Sequence, residues 1–474
     1  MSESNPSEIK KSLGLTDAIL LVSGSMIGSG IFIVSAKMAR DLGSSGWLLL
    51  AWLVAGLLTV MAALSYGELS SMMPRAGGQY VYIQRAFGRL PAFLYGWTVF
   101  TVIQTGVIAA VAVAFANFTA VFFPVFSEQN TLLDIGFLKV NAAQLLAIAS
   151  ILFLSWLNAR GVQEGKWVQI SFTSAKILAL FGLIAFGLWK GMGSAAWDLN
   201  FSSLWQASSL KVENGTETQI PLQGIALISA LGMAMVGSLF SSDAWNNVTF
   251  IAGEIRNPGR NLPLSLFLGT LVVTSLYLLA NVAYLALLPM HDIQTAAQNR
   301  VGTAAAEVVF GNSAAYFMAG LIMISTFGCN NGIIMAGGRL FFAMASDRLF
   351  FRQAAIVNQS GIPAFAIWIQ AGWASLLCLS GKYGDLLDYT TFASLLFYIV
   401  TISGLFVLRR KEPDAERPYR TLLYPWMPAA YILFAALFCL NLLFCSPVYT
   451  LSGLLIVALG FPVYFFLNRN EKSN

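Results

Sequence analysis

Two short stretches hold most of the polar chemistry that an otherwise apolar chain places inside its long hydrophobic segments. The first is Gly28-Ser29-Gly30-Ile31-Phe32, within a run from Ala18 to Ala36 that otherwise reads as a membrane-spanning helix. The second is "SLFSSDAWNNVTF", Ser238 to Phe250, where an apolar helix meets Ser241, Ser242, Asp243, Asn246 and Asn247. Glycine in a helix interior costs about 1 kcal/mol against alanine. Ser, Asp and Asn offer the backbone competing hydrogen bonds. Both stretches therefore predict interrupted helices. Bare backbone survives in lipid only where protein or a watery cavity covers it. Once uncovered, it becomes binding equipment: N–H donors and a positive dipole near Gly28-Ser29-Gly30 suit a carboxylate, and carbonyls near Ser25 and Met26 suit an ammonium. On this reading glycine leaves room for ligand oxygens. A packing reading stands beside it, because Gly24 and Gly28 also form a GxxxG pair.

A third chemical group is Lys176. It lies about ten residues, roughly 15 Å, from either end of its apolar segment, too far for its side chain to reach the interface. An intramembrane charge marks function by default. Burial disfavours a lysine's charged form, so a proton-carrying role is one reading. Asp243 has two readings, as a cap on the second half-helix or as a contact for a polar or cationic ligand group. Glu68 with Arg75, and Glu254 with Arg256, read as interface or gate residues, and His291 as an exposed loop residue. One histidine and four scattered cysteines (Cys329, Cys378, Cys439, Cys445) suggest neither a metal site nor a disulfide framework. No nucleophile–base set or phosphate loop appears, so an enzyme is not expected, and no cofactor is implied.

The elements that must position these groups follow from composition. The 474 residues are 57% hydrophobic and 10% charged, with mean hydropathy +0.71, against about 25% charge in a soluble domain. The solvent must be lipid. At about 20 apolar residues per span, about 12 spans are expected, roughly 14–38, 46–72, 88–123, 142–160, 165–190, 222–252, 263–289, 314–345, 361–379, 384–408, 423–443 and 448–467. With the N-terminus inside, 19 of the 27 Lys and Arg fall on the inner face and 7 on the outer, with Lys176 left in a span. That agrees with the positive-inside rule, puts both termini in the cytoplasm and explains the net charge of +5 without nucleic acid. The start, "MSESNPSEIKK", is polar and not followed by a cleavage site, so the first span would direct insertion. The expected organisation is a tail at 1–13, one transmembrane domain at 14–467 and a tail at 468–474. The charge run Arg409–Arg420 reads as a solvated connection, and 191–221 as a polar outer loop with a weak acceptor triplet, Asn214-Gly215-Thr216. The breaks fall in spans 1 and 6, the arrangement of a transporter built from two repeats: about 14–190 and 222–408, with extra helices at about 423–467.

With these residues in view the sequence resembles the amino-acid permeases, and more narrowly the L-type amino acid transporter family of the amino acid–polyamine–organocation superfamily. The segments that carry the likeness, in order, are "GSMIGSGIF", "YGELSSMMPRAGGQYVYIQRAFG", "FTSAKILAL", "AWNNVTFIAGEIRNPGRNLP", "RLFFAMASDR" and "RPYRTLLYPWMP". The resemblance covers nearly the whole chain. It implies an all-α integral membrane protein with the leucine-transporter fold, a 5+5 inverted repeat plus two helices, and sodium-independent transport, commonly by exchange. It also implies that Gly28, Ser29 and Gly30 hold the substrate carboxylate. Met26, Phe240 and Asp243 would offer carbonyls to the ammonium, Phe240 would close as an outer gate, and Trp245 and Asn246 would line or support the pocket. Lys176 would stand where sodium-coupled relatives bind sodium, tying its helix to the first interrupted helix and to a later span, with Ser325 and Thr326 as candidate partners, and coupling site occupancy to closure. Two departures matter: many relatives have a small residue at Asp243 (some cationic-substrate members an acidic one) and often an aromatic at Ser242. The subsite is thus expected to be small and polar. No cysteine lies in the loop 124–141, where animal members attach a heavy subunit, so a disulfide-linked partner is not expected.

The expected function is exchange of small neutral amino acids across the cell membrane by alternating access. The alternatives are proton-coupled uptake, cationic amino-acid exchange, or a sensor that binds without transport. A channel would need a continuous polar pore lining, which the sequence does not show.

Overall fold

A computed structural model describes residues 11–134, 139–213, 216–311, 313–380 and 383–471. The first ten residues, the end of the C-terminal tail, Lys382 and the centre of the Asn214-Gly215-Thr216 triplet lie outside that set. Almost everything described is helix. The main helices are α1 (Leu15–Met26), α2 (Gly30–Leu42), α3 (Ser45–Met72), α4 (Gln79–Phe87), α5 (Arg89–Phe122), α6 (Ala142–Arg160), α7 (Val162–Gly191), α8 (Gly224–Ser241), α9 (Asn247–Phe250), α10 (Pro258–Leu287), α11 (Ala314–Ser346), α12 (Ala364–Ser380), α13 (Tyr383–Lys411), α14 (Trp426–Cys445) and α15 (Pro447–Glu471). Among the described residues ten helices are long and apolar enough to cross a bilayer, eleven if the bent pair α1–α2 is one span. The expected ninth span, 361–379, is the shorter apolar helix α12. α5 has 34 residues and α11 has 33, each longer than one bilayer thickness requires.

Both predicted interruptions are present. The axis bends by 42° between α1 and α2, and α8 stops at Ser241 and resumes as the single turn α9. Ala244, in the second gap, has φ +63°, a left-handed conformation that costs a non-glycine residue roughly 1–2 kcal/mol. A π turn, Val99–Ile103, interrupts α5, and the Thr105 hydroxyl donates to the Phe100 carbonyl there (2.7 Å).

The glycines of the first break have a packing cause the ligand reading did not anticipate. A Cβ at Gly24 would lie 2.1 Å from the Gln169 side chain and 2.2 Å from Thr173 on α7. One at Gly30 would lie 2.2 Å from the Ser241 hydroxyl at the end of α8. Helix approach, not ligand space, requires these two. Gly28 faces the Cys329 sulfur, 3.4 Å from its missing Cβ.

The two faces of the bundle differ. On the face that carries Leu13, Leu13 bridges to Ile255 as one parallel rung, and Lys166 pairs with Asp17 (2.8 Å). Glu254 and Arg339 form an ion pair at 2.8 Å with side chains 2% and 1% exposed. The run Arg409–Arg420 is a largely exposed connection there, as expected, but two of its arginines, Arg409 and Arg417, turn onto the bundle. The buried Glu68 carboxylate accepts from Arg409 at 2.9 and 2.6 Å and from the Thr421 amide at 2.7 Å, and it pairs with Arg417 at 3.3 Å. A charge with no water must find partners, and Glu68 draws these two arginines inward. Glu412 pairs with Arg85 at 2.6 Å, which holds its carboxyl below the ordinary carboxylate range. The opposite face carries two antiparallel hairpins, Thr131–Asp134 with Lys139–Asn141 and Ser208–Glu213 with Thr216–Pro221. The segment read as a polar loop, 191–221, thus contains a hairpin and the helix Ala195–Ser202. His291 is exposed there, and its Nε2 lies 2.9 Å from Glu217.

Candidate functional site

The centre of the bundle is built around the two breaks. At the first, every carbonyl from Gly24 to Gly28 has a side-chain donor from another helix. The Lys176 ammonium on α7 donates to Gly24 (2.5 Å) and Ile27 (2.6 Å), and to the Ser325 carbonyl on α11 (3.4 Å). The Cys329 thiol donates to Ser25 (2.9 Å). The Ser325 hydroxyl lies 3.0 Å from the Ile27 carbonyl and 3.1 Å from that of Gly28. The Tyr277 hydroxyl on α10 lies 3.0 Å from the Met26 carbonyl and 3.1 Å from that of Ser241, so one proton is shared between both interrupted helices. Buried carbonyls left without donors would cost about 1–3 kcal/mol each.

The expected partners of Lys176 are therefore met in part. Ser325 joins it, through both carbonyl and hydroxyl. Thr326 does not: its hydroxyl donates to Ile322 of its own helix (2.7 Å). Met26 still has a second carbonyl lone pair, the first being taken by Tyr277. The amide end of the break is chemically the reverse. The first turn of any helix leaves N–H groups without intrahelical acceptors, and α2 begins at Gly30 with Ser29 as its N-cap residue.

At the second break Asp243 does not cap α9. The residue before α9 is Asn246, which makes no side-chain cap bond. Instead the Asp243 carboxylate accepts from Tyr398 through Oδ1 and from Ser394 through Oδ2 (3.2 Å), both on α13. The Phe240 carbonyl accepts from the Asp243 amide at 3.1 Å. Trp245 is 2% exposed, edge-on to Tyr66 with centroids 4.8 Å apart and tilted against Tyr398 at 5.3 Å; it supports the pocket. Asn246 donates to the side chain of Gln79, the first residue of α4 (2.9 Å). A cavity beside this break is lined by Asp243, Asn246, Gln79, Gln104, Tyr95 and Tyr398, with the π turn of α5 forming part of its wall. π turns recur at functional sites.

Tyr277, Cys329, Ser394, Tyr398 and Gln79 escaped the sequence reading. Two of the pairs were visible as spacing: Ser325 with Cys329, and Ser394 with Tyr398, are each four residues apart and so share a helix face. What spacing does not give is the carbonyl that each face meets.

Comparison with known proteins agrees with this geometry. The family model for amino acid permease matches residues 13–467. The chain is 32% identical over 461 residues to the mouse large neutral amino acids transporter small subunit 2, covering 96% of this chain and 81% of that protein. It is 29% identical over 475 residues to the serine/threonine exchanger SteT of Bacillus subtilis (strain 168), covering 98% of each. It is 28% identical over 472 residues to the mouse b(0,+)-type amino acid transporter 1, covering 98% of this chain and 89% of that protein.

Proposed function

The chain belongs to the amino acid permease family, as a multi-pass membrane transporter of amino acids rather than an enzyme, and from that premise we propose that it exchanges small neutral amino acids without sodium, by alternating access. The observation that carries this reading is the asymmetry of the first break. Protein side chains engage every carbonyl from Gly24 to Gly28, while α2 opens at Gly30 with the amides of a helical first turn. A fixed ammonium, Lys176, provides the positive charge that a coupling ion would otherwise supply there, which supports sodium independence. The substrate carboxylate then sits on the Gly28-Ser29-Gly30 amides, where the helix dipole favours an anion. Its ammonium takes the second lone pair of Met26 and the carbonyls at Phe240 and Asp243. Ser242 and Ala244 leave a small side-chain space, Phe240 closes above it, and Trp245 and Asn246 hold the wall. The serine/threonine exchanger among its relatives supports small neutral substrates and the exchange mode, and the large neutral amino acids transporter supports neutral amino acids more broadly.

The reading includes the cell membrane as location, cytoplasmic termini with the Leu13 face inward, two five-helix repeats rocking about the midplane, and no disulfide-linked subunit. A second reading, cationic substrates, rests on Asp243, whose remaining lone pairs border a cavity that also holds Gln79 and Gln104. The test is uptake of labelled alanine, and separately arginine, into sodium-free proteoliposomes with or without trapped amino acid. Alanine uptake only into loaded vesicles is expected. Preference for arginine would assign Asp243 to the substrate side chain. Uptake into empty vesicles that rises with a proton gradient would replace exchange by proton coupling, and binding without uptake would make the protein a sensor.

A further inference from the structure

A second cavity, about 540 Å³, opens on the hairpin face, within the size range of small-molecule sites. Its walls come from Ile33 on α2, Asn117 and Phe118 on α5, Glu128 beyond α5, and Gln298 with Arg300 in the connection that follows α10. Ile33 lies three residues beyond Gly30, about 5 Å along the helix. The cavity floor is thus one helical turn from the amides of the first break.

Its polar groups form an opposed pair. The Arg300 guanidinium lies over the Phe118 ring, 4.7 Å from the centroid, with one Nη 3.5 Å from the Asn117 carbonyl. Among the described residues it forms no ion pair. The Asn117 amide donates to one oxygen of Glu128 (2.7 Å), leaving the other oxygen to the cavity. The turn before Arg300 is strained: Gln298 and Asn299 have φ +52° and +61°, an arrangement that is costly for consecutive non-glycine residues. The Arg40 side chain on α2 pins this turn, through the Asn299 side chain (2.8 Å) and the Gln294 carbonyl (2.7 Å).

A guanidinium and a carboxylate facing one cavity without pairing match the two charges of an α-amino acid. We infer that this vestibule is a second binding site, which receives a zwitterionic amino acid before it reaches the central break. The substrate carboxylate lies on Arg300, where charge-assisted bonds are strongest. Its ammonium lies on the open oxygen of Glu128, and its side chain faces Ile33 and Phe118. The inference rests on the amino-acid reading above and on the orientation that puts the hairpin face outside.

The test is exchange measured in right-side-out and inside-out membrane vesicles, with wild type, Arg300→Gln, Arg300→Lys and Glu128→Gln. Losing one charge-assisted bond is worth about tenfold in affinity. Each neutral variant should therefore raise the half-saturating alanine concentration at the hairpin face about tenfold and leave the other face unchanged, with Arg300→Lys in between. The unchanged face is the control for folding, and Glu128→Gln, on a separate segment, covers failure of the Arg300 variants. Unchanged half-saturation at the hairpin face in both neutral variants overturns the inference while leaving the transporter reading intact. An equal rise at both faces also overturns it, by tracing the effect to the central site. No alanine flux by wild type overturns both.

Discussion

The two interruptions at the centre of the bundle solve one physical problem with opposite charges. At the first, uncovered carbonyls are met by a cation, Lys176, and by the neutral donors Cys329, Ser325 and Tyr277 from three helices. At the second, an anion, Asp243, is itself held by hydroxyls from one helix, α13, and the backbone carries a left-handed alanine. The second break is also tied by the Asn246 side chain to Gln79 on α4 and by the Ser241 carbonyl to Tyr277 on α10, the side chain that also meets Met26 of the first break. The difference between the two is thus one of charge rather than of tethering: a cation holds the carbonyls of α1–α2, and hydroxyls hold an acidic side chain beside α8–α9.

The largest expected effect comes from cutting the first break's main tie. Lys176→Met removes the bonds to the Gly24, Ile27 and Ser325 carbonyls, the two short ones worth roughly 1.5–3 kcal/mol each when charged. Exchange should fall at least about a hundredfold, with a lower melting temperature for the purified protein. Near-normal flux would show that the break does not depend on this tie. Tyr277→Phe removes the shared proton and should lower exchange about tenfold, since one neutral bond is worth about 1 kcal/mol and both breaks lose it together. If Tyr277→Phe and Ser325→Ala prove additive in a double-mutant cycle, the breaks are not linked through Tyr277. Asp243→Asn keeps the acceptor for Tyr398 but loses the charge. Alanine half-saturation should shift by only a few fold, about 1 kcal/mol or less, and any arginine flux should disappear. Ala244→Gly relieves the left-handed residue and should stabilise by at most about 1 kcal/mol, visible as a small rise in melting temperature.

The smallest effect is a control far from both breaks. The Glu217 hydrogen bond raises the His291 imidazole above its ordinary 6.5. That contact is therefore fully stabilising below about pH 6.5 and is lost as pH rises through the raised value. Hydrogen exchange in the strand Thr216–Pro221 should accelerate between pH 6 and 8 while exchange at α1–α2 follows only the intrinsic pH dependence.

Much of this was legible in the sequence because lipid makes its demands locally. Span length, the charge bias across the faces, the glycines at 28 and 30 and the run of polar residues from Ser241 to Asn247 each follow from what hydrocarbon refuses to solvate. Lys176 was legible for the same reason. The partners of these groups were not. Thr326 and Ser325 are adjacent in sequence, and only rotation about the α11 axis decides that Ser325 faces the break while Thr326 turns back on its own helix. Asp243 was read as cap or ligand contact because nothing near it in sequence reveals Tyr398, some 150 residues away. Within the exposed charge run Arg409–Arg420, the inward turn of Arg409 and Arg417 was not legible because their partner, Glu68, lies in another span. Gly24 and Gly30 needed the positions of Gln169 and Ser241 before packing could be told from ligand space.

The central claim is that protein donors engage the carbonyl side of the first break and that a substrate carboxylate takes its amide side. The most direct measurement is the melting temperature of the purified protein in sodium-free buffer, with alanine or with alaninamide, which keeps the ammonium and lacks the carboxylate. A ligand that binds only the folded state raises that temperature according to its affinity. The account predicts a concentration-dependent rise with alanine and none with alaninamide. An equal rise with both would contradict it, because the amides of Gly28-Ser29-Gly30 would then not be the seat.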